Sequence, residues 1–324
     1  MDSERVRLIS PKKEYLRSSV FKIRHFILYC ADRMSLDIEI KSELDLSDPS
    51  EELLKWAKKN IREDPDTRCQ TLEEFKDLIY SKGECTPHRV DDAFLLRFLR
   101  SRKFSLEAAH KLLVNYCDLR EDNPQFVDGI GFELLEKVGE LDVISVPPYK
   151  DQAGKRILLY KIGKWHPDTF TVDDVLSASL LILELAILEP KAQMMGGICI
   201  LDFEGITMQH ALYMTPALAR KVIQIAVSSQ PMRLEAMHVI NNSWMFETFF
   251  NFFKPLLHDK MKERLYFHGN DMESLHQHVD PKCLPDIYGG MQPHYDYKDW
   301  LDGFRKNKSI LKELNRQGYA VPQP

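Results

Sequence analysis

Hydrophobic positions change their spacing partway along the chain. Between residues 48 and 122 they recur at helical intervals, and after Pro124 they gather into short apolar runs separated by longer helical stretches. The first part predicts four helices. One begins with Asp48 as cap, Pro49 at the first helical position and Glu51 completing a capping box, then runs through LLKWAKKN. TLEEFKDLIYSKG predicts a second, stopped at Gly83, and DDAFLLRFLRSRKF a third. SLEAAHKLLVNYCDLRE predicts the fourth, capped by Ser105, with Leu106, Ala109, Leu113 and Tyr116 on one stripe.

The later apolar runs, RILLYKIG (156–163), GGICILDF (196–203), AMHVIN (236–241) and RLYFHG (264–269), have the texture of strands buried on both faces. Helical stretches at 172–188 and 215–229 lie between them, each long enough for a right-handed crossover. The fold class expected is therefore α/β, a mainly parallel sheet with flanking helices, preceded by a small all-α domain. The boundaries read as a flexible tail at 1–45, a helical domain at 46–125, an α/β domain at 126–300 and a C-terminal tail at 301–324. Met34 is an alternative start within the first segment.

Two apolar segments stand out. The stretch at 172–188 has Thr171 as cap and Asp173 and Asp174 in its first turn, then apolar residues on nearly every side, with Ser179 and Glu184 as polar exceptions. Such a helix must be covered all round, by protein or by an apolar ligand. The stretch WMFETFFNFFKPLL (244–257) places Trp244, Phe246, Phe249, Phe250, Phe252 and Phe253 on a helix ended by Pro255. Three roles fit it: a buried core helix, a partner-binding face, or a lid over an apolar cavity that meets a bilayer when open. Lys254, Lys260, Lys262 and Arg264 follow closely, interrupted by Asp259 and Glu263, and suit either a solvated face or anionic headgroups.

Composition narrows the classes. With 44% hydrophobic residues, 29% charged residues and a net charge of -5, the chain is of globular type and not a general nucleic-acid binder. The first thirty residues nevertheless carry seven Lys and Arg against three acids, which fits a solvated extension, a transit peptide or a membrane-attracted arm. Six scattered cysteines without a CxxC pair, and no secretory leader, point to a reducing, cytoplasmic setting. Neither apolar stretch reaches the roughly 20 residues needed to cross a bilayer. Phosphate-loop, dinucleotide, nucleophile-elbow and zinc-protease motifs are absent, so no enzyme and no cofactor is expected. His276, His278 and Asp280 form an HxHxD cluster with no further obvious metal ligand, and no metal site is assigned.

DDAFLLRFLRSRKF, GGICILDFEGIT, HVINNSWMFETFFNFFKPLLHDKMKERLYFHGND and LPDIYGG, in that order, resemble the CRAL-TRIO lipid-transfer family over roughly residues 48–300. The resemblance implies a helical N-terminal domain and a lipid-binding domain whose sheet floors a hydrophobic pocket closed by a mobile gate helix. It implies that one lipophilic molecule is carried and released at membranes, often with phosphoinositide recognition, and without bond chemistry. By position, the sheet would give Tyr160 and Leu201 to the pocket, and the helix at 172–188 would give Leu176, Ser179 and Leu183. The next crossover would add Met214, Val222, Ile225 and Ala226, with Met232 beyond it. The gate would be Trp244, Phe246, Phe249, Phe250 and Phe253.

A tocopherol-, retinoid-, carotenoid- or sterol-like ligand is expected, its polar end met by Ser179, Tyr160 or water. Leu183 stands where the tocopherol carrier has a serine, which counts against tocopherol itself. Phosphoinositide contacts would fall to Arg102, Arg233, Lys260 and Arg264. Glu235 stands at a further basic position and would weaken them by about 1 kcal/mol or more. Ile287 replaces an acid common in LPDIYGG, a turn that Gly289 and Gly290 should preserve. The expected protein is a monomer acting in the cytoplasm and transiently at endosomal or other intracellular membranes. The alternative is a phosphoinositide-sensing trafficking adaptor without a dedicated cargo.

Overall fold

The structure, a computed structural model, describes residues 44 to 323 apart from 243 and 294. The tail expected at 1–45 and the alternative start at Met34 lie outside the described residues, except for Leu44 and Asp45. Both are tied to the fold: Leu44 is buried in the main core, and the N–H of the exposed Asp45 donates to Glu189 Oε1 at 2.7 Å.

The helical part begins with α1 (Glu51–Ile61), α2 (Arg68–Lys82), α3 (Asp92–Ser101) and α4 (Leu106–Asp122). Helix α1 starts two residues later than the sequence predicts. Ser50 is its cap, its hydroxyl accepting from the Leu53 N–H at 3.2 Å, while Asp48 and Pro49 stay outside. Glu51 is then the first helical residue and cannot close a box from the third. Gly83 ends α2 in the left-handed region at φ 59°, as its sequence predicts. Ser105 does hold the cap position of α4, but its side chain makes no cap bond there.

Helices α2 to α4 bury Phe75, Phe94, Phe98, Leu113 and Tyr116 in a core of their own. They remain tied to the α/β part. Arg100 on α3 donates to both oxygens of Glu63 at 2.8 and 2.7 Å and to Gln193 Oε1 at 2.6 Å, all three side chains being buried. The described residues from Leu44 onward accordingly form one compact unit.

After α5 (Phe132–Glu140) comes a five-stranded sheet in sequence order: β1 (Ile144–Ser145), β2 (Arg156–Lys161), β3 (Gly197–Asp202), β4 (Leu234–Ile240) and β5 (Leu265–Gly269). Strands β2 to β5 are parallel, and β1 runs antiparallel to β2. The two-residue β1 is too short to leave a periodic signal. Register aligns Leu158, Cys199, Met237 and Leu265 across the sheet, and likewise Tyr160, Leu201, Val239 and Phe267. Because side chains alternate along a strand, Ile157, Leu159, Ile200 and Ile240 face the other way, packing with Leu275, Val279, Leu284 and Tyr288.

The connections carry α6 (Val172–Ala186) and α7 (Pro190–Met195), then α8 (Met208–Tyr213) and α9 (Pro216–Ile223) with a π-helical extension (Gln224–Ser229), then α10 (Trp244–Phe253) and α11 (Asp259–Lys262). Helix α12 (Met272–His276) follows β5. The segment 301–324, set apart in the sequence as a tail, is instead folded onto the protein. Helices α13 (Tyr297–Lys306) and α14 (Lys308–Arg316) bury Trp300, Leu301, Phe304, Ile310, Leu311 and Leu314 in the main core. Their apolar stripe is broken by the Asn307 cap, whose side chain accepts from Ser309 and Ile310, and this hides it in a charged segment.

Candidate ligand cavity and basic patch

Helix α6 lies over the sheet with every residue from Leu176 to Leu185 buried. Its start is a capping box: Thr171 Oγ1 accepts from the Asp174 N–H at 3.1 Å, and Asp174 Oδ2 accepts from the Thr171 N–H at 2.7 Å. On its protein side Glu184 accepts from the Tyr116 hydroxyl at 2.9 Å. Its other side borders a cavity of about 270 Å³, just under the roughly 300–1,000 Å³ usual for small-molecule sites.

The sheet supplies Leu158, Tyr160, Cys199, Leu201, Met237 and Val239 to this cavity, and α6 supplies Leu176, Ser179 and Leu183. Met214, Val222, Ile225, Ala226 and Met232 close a third side. The ten positions named from the sequence resemblance thus all border one cavity. Among the described residues its lining contains no Asp, Glu, Lys, Arg or His.

The third side includes the π-helical turn. Widening the turn releases carbonyls from the usual helical pattern, and the helical domain takes them up: Asn115 Nδ2 donates to Ser228 O at 3.0 Å, and Arg102 Nη2 lies 3.5 Å from Val227 O.

Helix α10 is the lid-like wall. Phe246, Phe249, Phe250 and Phe253, spaced i, i+3, i+4 and i+7, line the cavity, while Glu247 and Asn251 are exposed. Phe246 meets Phe203 at 4.6 Å between ring centroids, and Phe250 meets Phe267 at 5.1 Å. The side chain of Trp244 lies outside the described residues. Of the three roles open for this segment, the geometry shows the buried face, turned to the cavity.

The basic residues separate into three situations. Arg264 Nη1 donates to Leu234 O at 2.6 Å and leaves the rest of its guanidinium without an ion pair among the described residues. Burial, and then the charge of Arg264, hold the Arg102 guanidinium below its ordinary value. Arg233 is also lowered by burial, with Glu235 opposing and Arg264 adding to the effect. Its Nη2 donates to Met194 O at 2.6 Å, and its Nε lies 3.0 Å from Glu235 Oε1 without hydrogen-bond alignment. Glu235 therefore neutralises a neighbour as well as replacing a base. Lys260 is exposed on α11.

The HxHxD residues go separate ways. His276 Nε2 pairs with Tyr288 O at 2.8 Å, His278 packs 4.3 Å from the Tyr266 ring, and Asp280 accepts from the Lys282 N–H. Among the described residues no group of His, Cys, Asp and Glu has metal-binding geometry. Gly289 adopts φ 68° in the turn after Tyr288, and a side chain on Gly290 would strike Leu284 O.

Sequence reasoning missed Gln230, which lies in the cavity wall with neither amide atom paired. Its one signal is a polar residue followed by Pro231 at the end of an apolar crossover. It missed Trp165 and Met261 on the same wall as well. No helix among the described residues is long and apolar enough to cross a membrane.

Comparison with known proteins agrees with this architecture. The CRAL/TRIO domain family matches residues 142–290, and the CRAL/TRIO N-terminal domain family matches 49–115. Clavesin-2 of Rattus norvegicus is 33% identical over 282 residues, 84% of each chain. The alpha-tocopherol transfer protein-like protein of Mus musculus is 31% identical over 251 residues, 78% of this chain and 73% of that one. The crystal structure of Sfh5 covers 73% of this chain and 91% of its own at a TM-score of 0.50 and 14% identity, a likeness of fold alone. With its uncharged cavity between sheet, crossover helices and an aromatic helix, and with relatives matching along most of its length, the chain belongs to the CRAL/TRIO family.

Proposed function

We propose that the protein binds one lipophilic small molecule in this cavity, carries it through water as a monomer and releases it at an anionic membrane inside the cell. The observation that carries the reading is a cavity wall that, among the described residues, has no carboxylate, amine, guanidinium or imidazole and is formed on one side by four phenylalanines of a single helix. Burying an apolar molecule there removes its surface from water at roughly 25 cal/mol per Å². Movement of α10 would expose aromatic rings suited to a bilayer interface. One relative is named for tocopherol transfer, which is in keeping with a lipophilic cargo.

Docking would use two features. The charge of Arg264 acts on both Arg102 and Arg233, with Lys260 exposed nearby in sequence, and an anionic phosphate headgroup would relieve that repulsion. Met208 and Leu212, a helical turn apart on α8, are 65% and 77% exposed beside the cavity-lining Met214. The same arginines favour a second reading, a phosphoinositide-sensing trafficking adaptor. The Arg233–Glu235 pair, which takes one of the cations, counts against it.

The test is transfer of a fluorescent lipophile between vesicles by wild type and by Phe249→Asp and Phe250→Asp. Transfer should fall sharply in both while circular dichroism stays native, because the core of the helical domain and the core on the opposite face of the sheet do not include these rings. Folded variants that transfer at the wild-type rate would remove α10 from the gate role.

A further inference from the structure

Hydrogen-bonding groups on the cavity wall are few, and most are already occupied. Trp165 Nε1 donates to Phe170 O at 3.0 Å. Ser179 Oγ donates to Val175 O at 2.7 Å and so has its acceptor within the protein. Gln230 is different. It is 1% exposed, it lines the cavity, and both Nε2 and Oε1 are without a partner. The π-helical turn on one side and Pro231 on the other fix its backbone.

A buried primary amide without partners is costly, because it has given up water and gained nothing. The neighbouring wall is hydrocarbon and cannot relieve it. Rotation of the glutamine side chain toward a bound molecule would relieve it if that molecule offered the right groups. An amide carries donors at Nε2 and an acceptor at Oε1, so the complementary group must both accept and donate. Hydrocarbons do neither. Ethers, esters and carbonyls accept only, which leaves Oε1 unpaired. An ionised carboxylate or phosphate would bring a charge into a lining that, among the described residues, contains no Lys, Arg or His to meet it. A neutral hydroxyl accepts and donates through one atom.

We propose that Gln230 is the specificity-determining residue of the cavity and that it selects a lipophile ending in a neutral hydroxyl. This rests on the carrier reading and refines it. It also moves the polar end of the ligand from Ser179, Tyr160 or water, the partners expected from the sequence, to an unpaired amide.

The experiment is equilibrium binding of three radiolabelled probes of matched chain, tetradecan-1-ol, 1-methoxytetradecane and tetradecane, to wild type and to Gln230→Leu. Wild type should prefer the alcohol to the ether by about tenfold or more. In Gln230→Leu that preference should collapse, with tetradecane bound at least as well as by wild type. The ligand-free variant should also melt higher than wild type, since an unpaired amide has been replaced by hydrocarbon. Equal binding of alcohol and ether by wild type, or a preference that survives in Gln230→Leu, would overturn the proposal while leaving a carrier. Failure of wild type to bind any of the three would overturn the carrier reading and this refinement with it.

Discussion

Acid should loosen the sheet from its face opposite the cavity, through His238. This side chain is 2% exposed on β4, and its Nδ1 lies 3.0 Å from Nε2 of His268 on β5. The Tyr266 ring stacks on it at 5.1 Å and His278 approaches to 5.4 Å, while the far nitrogen of His268 pairs with Ser274 Oγ at 2.8 Å. Asp271 is the acid in this neighbourhood, and it acts on His268. Burial first, then the charges of His268 and His278, push His238 down to about 3 from 6.5.

A histidine lowered in the folded state is neutral there and takes up its proton only on unfolding. Its contribution is thus intact above pH 6.5 and is lost as pH falls from 6.5 toward 3. At pH 5 the unfolded form gains about 1.5 pH units of protonation free energy over the folded form, or ~2 kcal/mol. Urea unfolding at pH 7 and pH 5 measures this, with His238→Gln as the comparison that removes the group but leaves the carboxylates in place. Wild type should lose about 2 kcal/mol more than the variant between the two values. Equal losses would refute the reasoning, since the acid sensitivity would then lie in other groups.

Three further outcomes are expected. Glu63→Ala strands the buried guanidinium of Arg100 and should cost about 3–5 kcal/mol in urea unfolding. Gly139→Ala would put a methyl 1.7 Å from Tyr297 Cδ1, where α5 meets α13, and should lower stability by about 1–3 kcal/mol in the same assay. Arg264→Ala should weaken sedimentation with bisphosphate-lipid vesicles by about ten- to a hundredfold, one charge-assisted hydrogen bond being worth about 1.5–3 kcal/mol, whereas Glu235→Gln, which frees Arg233, should strengthen it.

Much of this architecture is legible in the chain because its physical causes are local. Strands of a parallel sheet carry near-continuous apolar residues, so β2 to β5 stand out at Ile157, Ile198, Val239 and Leu265, although β5 is an edge strand whose Phe267 is exposed rather than buried on both faces. A helix covered on every side, like α6, shows itself by lacking a polar face. The aromatic run of α10 is legible as an anomaly, but its role depends on what the sheet places opposite it. What escaped has causes that sequence spacing does not carry. Strand β1 exists only because β2 offers an edge, and the start of α1 depends on which hydroxyl reaches Leu53. The helices α13 and α14 hide because Asn307 resets their phase in the middle of charged residues. Gln230 reads as a polar loop residue until the fold buries it against hydrocarbon. Arg233 reads as a free cation until β4 sets Glu235 beside it.

The central claim is that the cavity holds a lipophile. Its most direct test is native mass spectrometry of the protein purified from cells, followed by organic extraction, for wild type and for Ala226→Trp, which fills the cavity. The account predicts one equivalent of an extractable lipophile on wild type and none on the filled variant. Wild type that emerges empty, or a lipophile retained equally by both, would contradict it.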